Sequence, residues 1–408
     1  MADQEMLLVA SSETTLKSSP VRNLLERRVM KHLRIILSRH GEKPSITRKH
    51  GRIVVMNIVD MSGSAVLASK VFGVASVMQA IQTTMDMNTI VDQAVELGLG
   101  KIKPDSTFAV KARRLGVHSF TSKDLENMIG SKILEVSAGR GVRVDLKKPE
   151  TTIYVEVKED CTYVFTERIE GPGGLPYGCQ GSVLSLFSES LNSRLSTWLL
   201  MKRGARIIPL YCDGESLDRG TSRENVLRWL RQIYSTLPVR KSTLIIVPFK
   251  DVLKRLEDAQ RPDLVPILKM HAMLMIAGSV VKEMSALGIV TGETLTDLAY
   301  DIERFVQVSS GVNTPIYRPV IGLEKDEIKE LAKRASLYDE SCAYYGSGIQ
   351  VLSAKITFGV IHDIESSLGM SSILETALAM REIVPIVPQE QSEELQESQG
   401  EYGSRLVQ

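Results

Sequence analysis

LFSESLNSRLSTWLLMKRG, residues 186–204, reads as the end of an apolar strand, a short polar loop, and a helix with Leu195, Leu199 and Leu200 on its apolar face. Strand, loop and helix in that order form the unit from which parallel α/β sheets are built, and the helix N-terminus after such a loop is a ready anion site. This loop has no glycine, and it carries Glu189. Around it, SVLSLF (182–187), ARIIPLYC (205–212), STLIIVPF (242–249) and ALGIVTG (286–292) are short continuous apolar runs separated by helical stretches. Parallel strands buried on both faces have this pattern.

A chain of 408 residues with 43% hydrophobic side chains has material for two or three domains. Its four cysteines, Cys161, Cys179, Cys212 and Cys342, form no C-x-x-C pair and no disulfide framework, so a reduced, cytoplasmic setting is expected and no metal site. The longest apolar stretches, such as Met273 to Val281, fall short of a membrane span, and MADQEMLLVA lacks the features of a signal peptide. A soluble protein is expected, with no membrane partner.

The net charge of +1 conceals an asymmetry. Between Thr14 and Arg52 stand eleven Lys and Arg against Glu26 and Glu42, and from Lys101 to Lys148 eleven basic residues against five acidic ones. Such blocks are polyanion-binding candidates. In the first, a strand (MLLVA), a helix from Pro20 to Ser38, a basic strand from Ile46 to Ile58 and a second helix near Gly63 to Phe72 suggest a ferredoxin-like unit with one charged face; Arg27, Arg28, Lys31 and Arg34 equally suit a solvated helix face. In the second, FAVKARRLGVHSF (108–120) is a strand ending in a basic turn, and TSKDLENMIGSKILE follows as a helix capped by Thr121 or Ser122. Cations at a strand end that leads into a helix N-terminus can reach phosphates, which makes Lys111, Arg113, Arg114, His118 and Lys123 candidate RNA contacts, joined by Lys17 and Arg22 from the first block.

The K-x-R-R of residues 111–114, the H-S-F-T-S that follows, and then V-D-L-x-x-P and V-x-V resemble a THUMP domain. EGPGGLPYGCQGSVLSLFS (170–188), VTGETLTDLA (290–299), YRPVIGLEKDEIKELAKRASLY (317–338) and SSETTLKSSPVRNLLERR (11–28) resemble the tRNA 4-thiouridine synthetases, also called tRNA sulfurtransferases. The resemblance covers residues 5 to about 345 in the right order. It implies a multidomain α/β and α+β chain. A ferredoxin-like N-terminal domain would occupy residues 1–62, a THUMP domain 63–170, and a parallel-sheet α/β domain of the pyrophosphatase-loop, adenine nucleotide alpha hydrolase-like kind 176–388, with a disordered acidic tail at 389–408. It further implies tRNA as partner, ATP with Mg2+ to adenylate a uridine that then receives sulfur from a cysteine persulfide, a sulfur-donor protein if the chain is active, and a homodimer, as family members often form.

The family's phosphate loop reads S-G-G-x-D-S; here the six positions are Ser188, Glu189, Ser190, Leu191, Asn192 and Ser193. Both glycines are gone, aspartate has become asparagine, and Glu189 would repel a phosphate. By resemblance and position, Leu186, Phe187, Ser188, Ser190, Asn192, Ser193, Tyr211, Cys212 and Gly292 are the nucleotide-site candidates. The basic residue expected before the TGE turn falls at Met270, between Lys269 and His271; the glutamine expected after it falls near Asp301; the persulfide cysteine falls at Gly348, with Cys342 six residues early. The reading that follows is a tRNA-binding member of the family impaired in ATP-dependent thiolation. An active tRNA-uracil 4-sulfurtransferase and a metabolic nucleotide-binding protein without RNA are the alternatives, so whether the chain is a catalyst stays open.

Overall fold

The computed structural model describes residues 4–12, 17–116, 118–214, 223–239, 241–259, 261–295, 302–339 and 357–387. They fall into two compact units that divide between Leu175 and Pro176.

The first unit opens with β1 (Gln4–Ser11), α1 (Ser19–Arg39), β2 (Ser45–Lys49), β3 (Arg52–Met56), α2 (Met61–Ser69) and β4 (Val74–Thr83). Pro20 sits in the first turn of α1, where its missing N–H costs nothing, and Leu25, Val29, Leu33, Ile36 and Leu37 bury one face of that helix. The strands lie in the order β2-β3-β1-β4, all neighbours antiparallel, which is the ferredoxin-like path. Where one basic strand was expected over residues 46–58, the chain makes a hairpin. His50 and Gly51 both take positive φ, 50° and 74°, as a two-residue hairpin turn requires.

The same sheet continues through α3 (Met87–Leu99), β5 (Thr107–Arg114), α4 (Ser122–Val136), β6 (Arg143–Val144), β7 (Thr151–Val157), β8 (Thr162–Phe165) and β9 (Ile169–Glu170). β4 pairs with β8, β8 with β7, and β7, β5 and β6 run parallel. α3 and α4 cover Phe108, Val110, Ile153 and Val155. On the opposite face Met6, Leu8, Val54 and Met78 share a core with Cys161, Tyr163 and Phe165, and the sheet curls until Lys49 and Arg52 of the β2–β3 hairpin reach Asp160 and Glu156.

The second unit comprises β10 (Ser182–Leu186), α5 (Leu191–Lys202), β11 (Arg206–Asp213), α6 (Arg223–Ser235), β12 (Ser242–Pro248), α7 (Lys250–Glu257), α8 (Val265–Glu283) and β13 (Ile289–Val290). It continues with α9 (Ile302–Ser309), β14 (Ile316–Tyr317), α10 (Lys325–Arg334), α11 (Phe358–Ser367), α12 (Met370–Ala379) and β15 (Glu382–Ile386). Five strands run parallel in the order β14-β13-β10-β11-β12, and β15 adds an antiparallel edge. All four apolar runs of the sequence became parallel strands of this sheet. α8, with 19 residues, is long and apolar enough to cross a bilayer, against the expectation that no segment is. Its Ile267, Leu268, Ala272, Leu274, Ile276 and Val280 are buried against β10, β11 and β12, which makes it the core helix of this unit.

Candidate functional site

In the second sheet the chain builds outward from β10 to β11 and β12, then returns to the other side of β10 with β13. The carboxyl ends of β10 and β13 therefore flank a topological switch point, where open α/β sheets bind ligands. The loop at residues 187–190 and the turn after β13 meet there. A methyl group on Gly292 would stand 2.6 Å from the Ser193 amide nitrogen, so only glycine lets the Thr291–Glu293 turn rest on the first turn of α5.

The loop is satisfied largely by itself. Ser190 is the N-cap of α5, and its hydroxyl accepts the Ser193 N–H at 3.2 Å. The Ser193 hydroxyl donates to the Leu186 carbonyl at 3.1 Å and accepts the Ser188 N–H at 3.0 Å. Ser188 and Ser190 share a hydrogen bond between hydroxyls at 3.0 Å. Of these three hydroxyl protons one is left to point outward, together with the N–H groups of Leu191 and Asn192 that the first helical turn leaves without an intrahelical acceptor. Leu186 and Phe187 are buried, and the Phe187 N–H is held by the Leu210 carbonyl, so both serve the sheet.

Glu189 is half-buried in this loop, close enough to Tyr211 for its charge to act on the phenol. Burial pushes the Tyr211 phenol up to about 12, and the negative charges of Asp213 and Glu189 add to the shift. The Glu189 carboxylate thus shares the carboxyl edge of the sheet with the two residues at the end of β11. A unit charge at about 4 Å from a phosphate costs about 1 kcal/mol in water and about 4 kcal/mol at an effective dielectric near 20. Cys212, beside Tyr211, is driven by burial up to about 12, with Lys269 pulling weakly the other way. The thiol is therefore neutral and unreactive.

That pull comes from the residue next to the expected cation position. Met270, the position expected to carry the cation, packs against the core, whereas Lys269 is exposed and close enough for Cys212 to feel its charge. His271 is buried in α8, with Nδ1 2.8 Å from the Val308 carbonyl and Nε2 3.3 Å from Glu365 Oε2, and holds helices together. Cys342, Gly348 and Asp301 lie outside the described residues. Sequence reasoning missed a buried cluster beneath the turn. Glu293 Oε2 accepts from Thr291 Oγ1 at 2.8 Å and from Arg318 Nε at 2.7 Å, and Arg318 also donates to Ser309 Oγ at 2.8 Å. The signal was present in the TGE and YRP stretches, whose charges are of opposite sign.

α5 also departs from its expected packing. Leu195 is fully buried, but Leu199 and Leu200 are only half-buried, and the helix instead turns Ser193, Arg194, Ser196 and Thr197 inward. Thr197 and Arg194 find partners, while the Ser196 hydroxyl is buried with no hydrogen-bond partner among the described residues. Thr197 Oγ1 lies 2.8 Å from Ser185 Oγ and donates to the Ser193 carbonyl, and Arg194 stacks 3.7 Å over the Trp229 ring while donating to the Leu337 carbonyl.

The basic candidates of the first unit divide into two kinds. Arg22 and Arg48 both hold the buried Glu26 at 2.8 Å, and Arg52 and Lys158 hold Glu156, so these cations serve the fold. Burial works against the charge of Glu156, and Arg52 and Lys158 overcome it and keep its pKa below the usual carboxylate value. Arg114 donates to the carbonyls of His118 and Phe120, and His118 Nε2 meets the Leu115 carbonyl at 2.8 Å, so both shape the turn into α4. That helix starts with the capping box between Thr121 and Asp124. Lys17, Lys111, Arg113 and Lys123 project outward, Lys123 at 3.4 Å from Glu126. The pleat of β5 puts Lys111 and Arg113 on one face and Arg114 on the other.

α1 adds a stripe that the sequence left as a solvated face. Arg27, Lys31 and Arg34 recur along one side of the helix, all exposed, and among the described residues no acid pairs with them.

Comparison with known proteins agrees with this architecture. Residues 178–364 match the family described as thiamine biosynthesis protein (ThiI), and residues 85–167 match the THUMP domain. A probable tRNA sulfurtransferase of Methanosarcina acetivorans is 31% identical over 388 residues, covering 93% of this chain and 94% of the relative. The tRNA sulfurtransferase of Pyrobaculum aerophilum is 32% identical over 340 residues, covering 83% and 68%. Among solved structures, a 4-thiouridine synthetase–RNA complex with bound ATP superposes with a TM-score of 0.75 at 22% identity, covering 94% of this chain and all of that one. PH1313 from Pyrococcus horikoshii gives 0.61 at 24% identity, covering 82% of this chain and all of that one. At those identities the two structures speak for the fold.

Proposed function

The chain belongs to the tRNA sulfurtransferase family, and from that premise we propose that it binds tRNA through its first unit while its second unit does not carry out ATP-dependent thiolation of uridine. The first half of the reading is supported by cations that no acid among the described residues pairs with: the α1 stripe of Arg27, Lys31 and Arg34, and Lys111 and Arg113 on β5. Arginines and lysines free to project meet phosphates, while those already paired to carboxylates do not.

The second half rests on one observation, the self-satisfied SESLNS loop, which carries Glu189 where the family has glycine. A triphosphate needs many donors and tolerates no carboxylate at close range. Two amides, one hydroxyl proton and Lys269 against Glu189 do not fit it, so no adenylation step is assigned to these residues. In this reading the second unit serves as a scaffold or a partner surface, the protein works in the cytoplasm beside its tRNA, and sulfur-donor proteins have no role.

The test is a paired assay on the full chain. Fluorescence anisotropy with a tRNA transcript should give saturable binding, and the same transcript incubated with ATP, magnesium and a persulfide donor should contain no 4-thiouridine by mass spectrometry. Absence of tRNA binding sinks the first half; 4-thiouridine in the product sinks the second and establishes an active sulfurtransferase.

A further inference from the structure

We propose that His50, Asp160 and Cys161 form a binding site for a divalent metal ion of the zinc class, placed where the β2–β3 turn meets the β7–β8 turn. The proposal concerns the first unit alone and is independent of the function proposed above. One ligand atom from each of the three residues lies within 4.8 Å of the other two. Imidazole nitrogen, carboxylate oxygen and thiolate sulfur are the donors zinc takes, and a three-residue set leaves its fourth position to solvent. Spacing could not have revealed the site, because His50 is more than a hundred residues from the other two and only the curl of the sheet brings them together.

The geometry between His50 and Asp160 is unlike an ordinary hydrogen bond. His50 Nε2 stands 2.7 Å from Asp160 Oδ1, yet this buried nitrogen is not aligned for a hydrogen bond with that oxygen or with any other described group. The two atoms already lie side by side, so one cation could take both as ligands. Tetrahedral coordination at about 2.0–2.1 Å to each would put them about 3.3 Å apart, so they would need to part by about 0.6 Å. Asp160 Oδ2 is held by Lys49 Nζ at 3.0 Å, which orients the carboxylate from behind as outer-shell partners of metal ligands do. Cys161 is 1% exposed, so the ion would have a dry sulfur on one side and solvent on the other. Binding forms the metal–sulfur bond and releases the thiol proton to solvent, with no change of oxidation state. The ion would latch two hairpins that are also linked by the ion pairs of Lys49 with Asp160 and Arg52 with Glu156.

The experiment strips the full chain with a chelator and titrates it with cobalt(II). The expected result is one equivalent taken up, a thiolate-to-cobalt charge-transfer band in the near ultraviolet with four-coordinate d–d bands, displacement by zinc, and a higher melting temperature with zinc present. Cys161→Ser should remove the charge-transfer band and Cys179→Ser should leave it. His50→Asn, whose side chain tolerates the positive φ of that turn, should weaken uptake at least tenfold while the circular dichroism spectrum is unchanged. No stoichiometric uptake at micromolar cobalt or zinc, or a band that survives both Cys161→Ser and His50→Asn, overturns the proposal.

Discussion

Glu189 and its serine neighbours concentrate the functional question at the scale of single residues. Glu189 precedes the helix and Ser190 is its N-cap, so glycine at both positions spares the helix interior. Replacing a serine cap by glycine costs only a few tenths of a kcal/mol. Glu189→Gly, Ser190→Gly and Asn192→Asp together are therefore expected to recover nucleotide binding, read by calorimetry, with a stability loss under about 1 kcal/mol. A repaired loop that still ignores ATP would mean that the obstacle lies elsewhere. His271 supplies a pH dependence. Burial opposes its protonation, but Glu365 and the Val308 carbonyl outweigh burial and raise its pKa. A folded-state pKa above the unfolded value of about 6.5 contributes stability that is fully present below that pH and is lost as the pH rises through the folded value. The melting temperature should fall over that window, and His271→Gln should flatten the fall; an identical pH profile in the variant would remove His271 as its source. The departures from S-G-G-x-D-S were legible in the sequence because they are covalent facts. That Met270 packs on the core while Lys269 is exposed was not, since which side of α8 faces the core is decided by packing.

Between elements, the contact that matters most is β13's turn against the first turn of α5. Gly292→Ala puts a methyl group 2.6 Å from the Ser193 nitrogen, with backbone on that side and no flexible side chain to yield. Such overpacking typically costs about 1–3 kcal/mol, so a clear drop in melting temperature is expected; an unchanged one would show that the turn does not rest on the helix. The parallel strands of the second unit were legible because buried strands spell continuous apolar runs. The capping box at Thr121 was legible for the same kind of reason, local chemistry at fixed spacing. The β2–β3 hairpin was not, because His-Gly is not among the dipeptides that usually announce such a turn. Nor was the polar inward face of α5, whose Arg194 finds partners in Trp229 and Leu337, distant in sequence. Within α1 the division between structural and free cations could have been read. Arg22 has Glu26 four residues on, while Arg27, Lys31 and Arg34 have no acid at helical spacing.

At the scale of the whole molecule, one unit presents cations and the other presents a parallel α/β sheet with the SESLNS loop at its carboxyl edge. If tRNA is held mainly by phosphate contacts, log affinity should fall steeply with log salt, by about 0.7–0.9 per contact. Reversing Arg27, Lys31 and Arg34, or Lys111 and Arg113, to glutamate should weaken binding and flatten that slope, whereas Arg22→Ala should lower thermal stability by leaving Glu26 with one partner fewer and change the slope little. Unchanged affinity in both reversal variants would place the RNA elsewhere. The basic blocks were visible in composition, but their internal neutralisation by Glu156 and Asp160 was not, because it spans the curl of the sheet. The central claim, a family member whose loop no longer takes the family's nucleotide, is tested most directly by titrating ATP with magnesium into the full chain in a calorimeter. No saturable heat up to millimolar ATP is the predicted result. A stoichiometric isotherm at micromolar ATP, lost in Ser193→Ala, would contradict it.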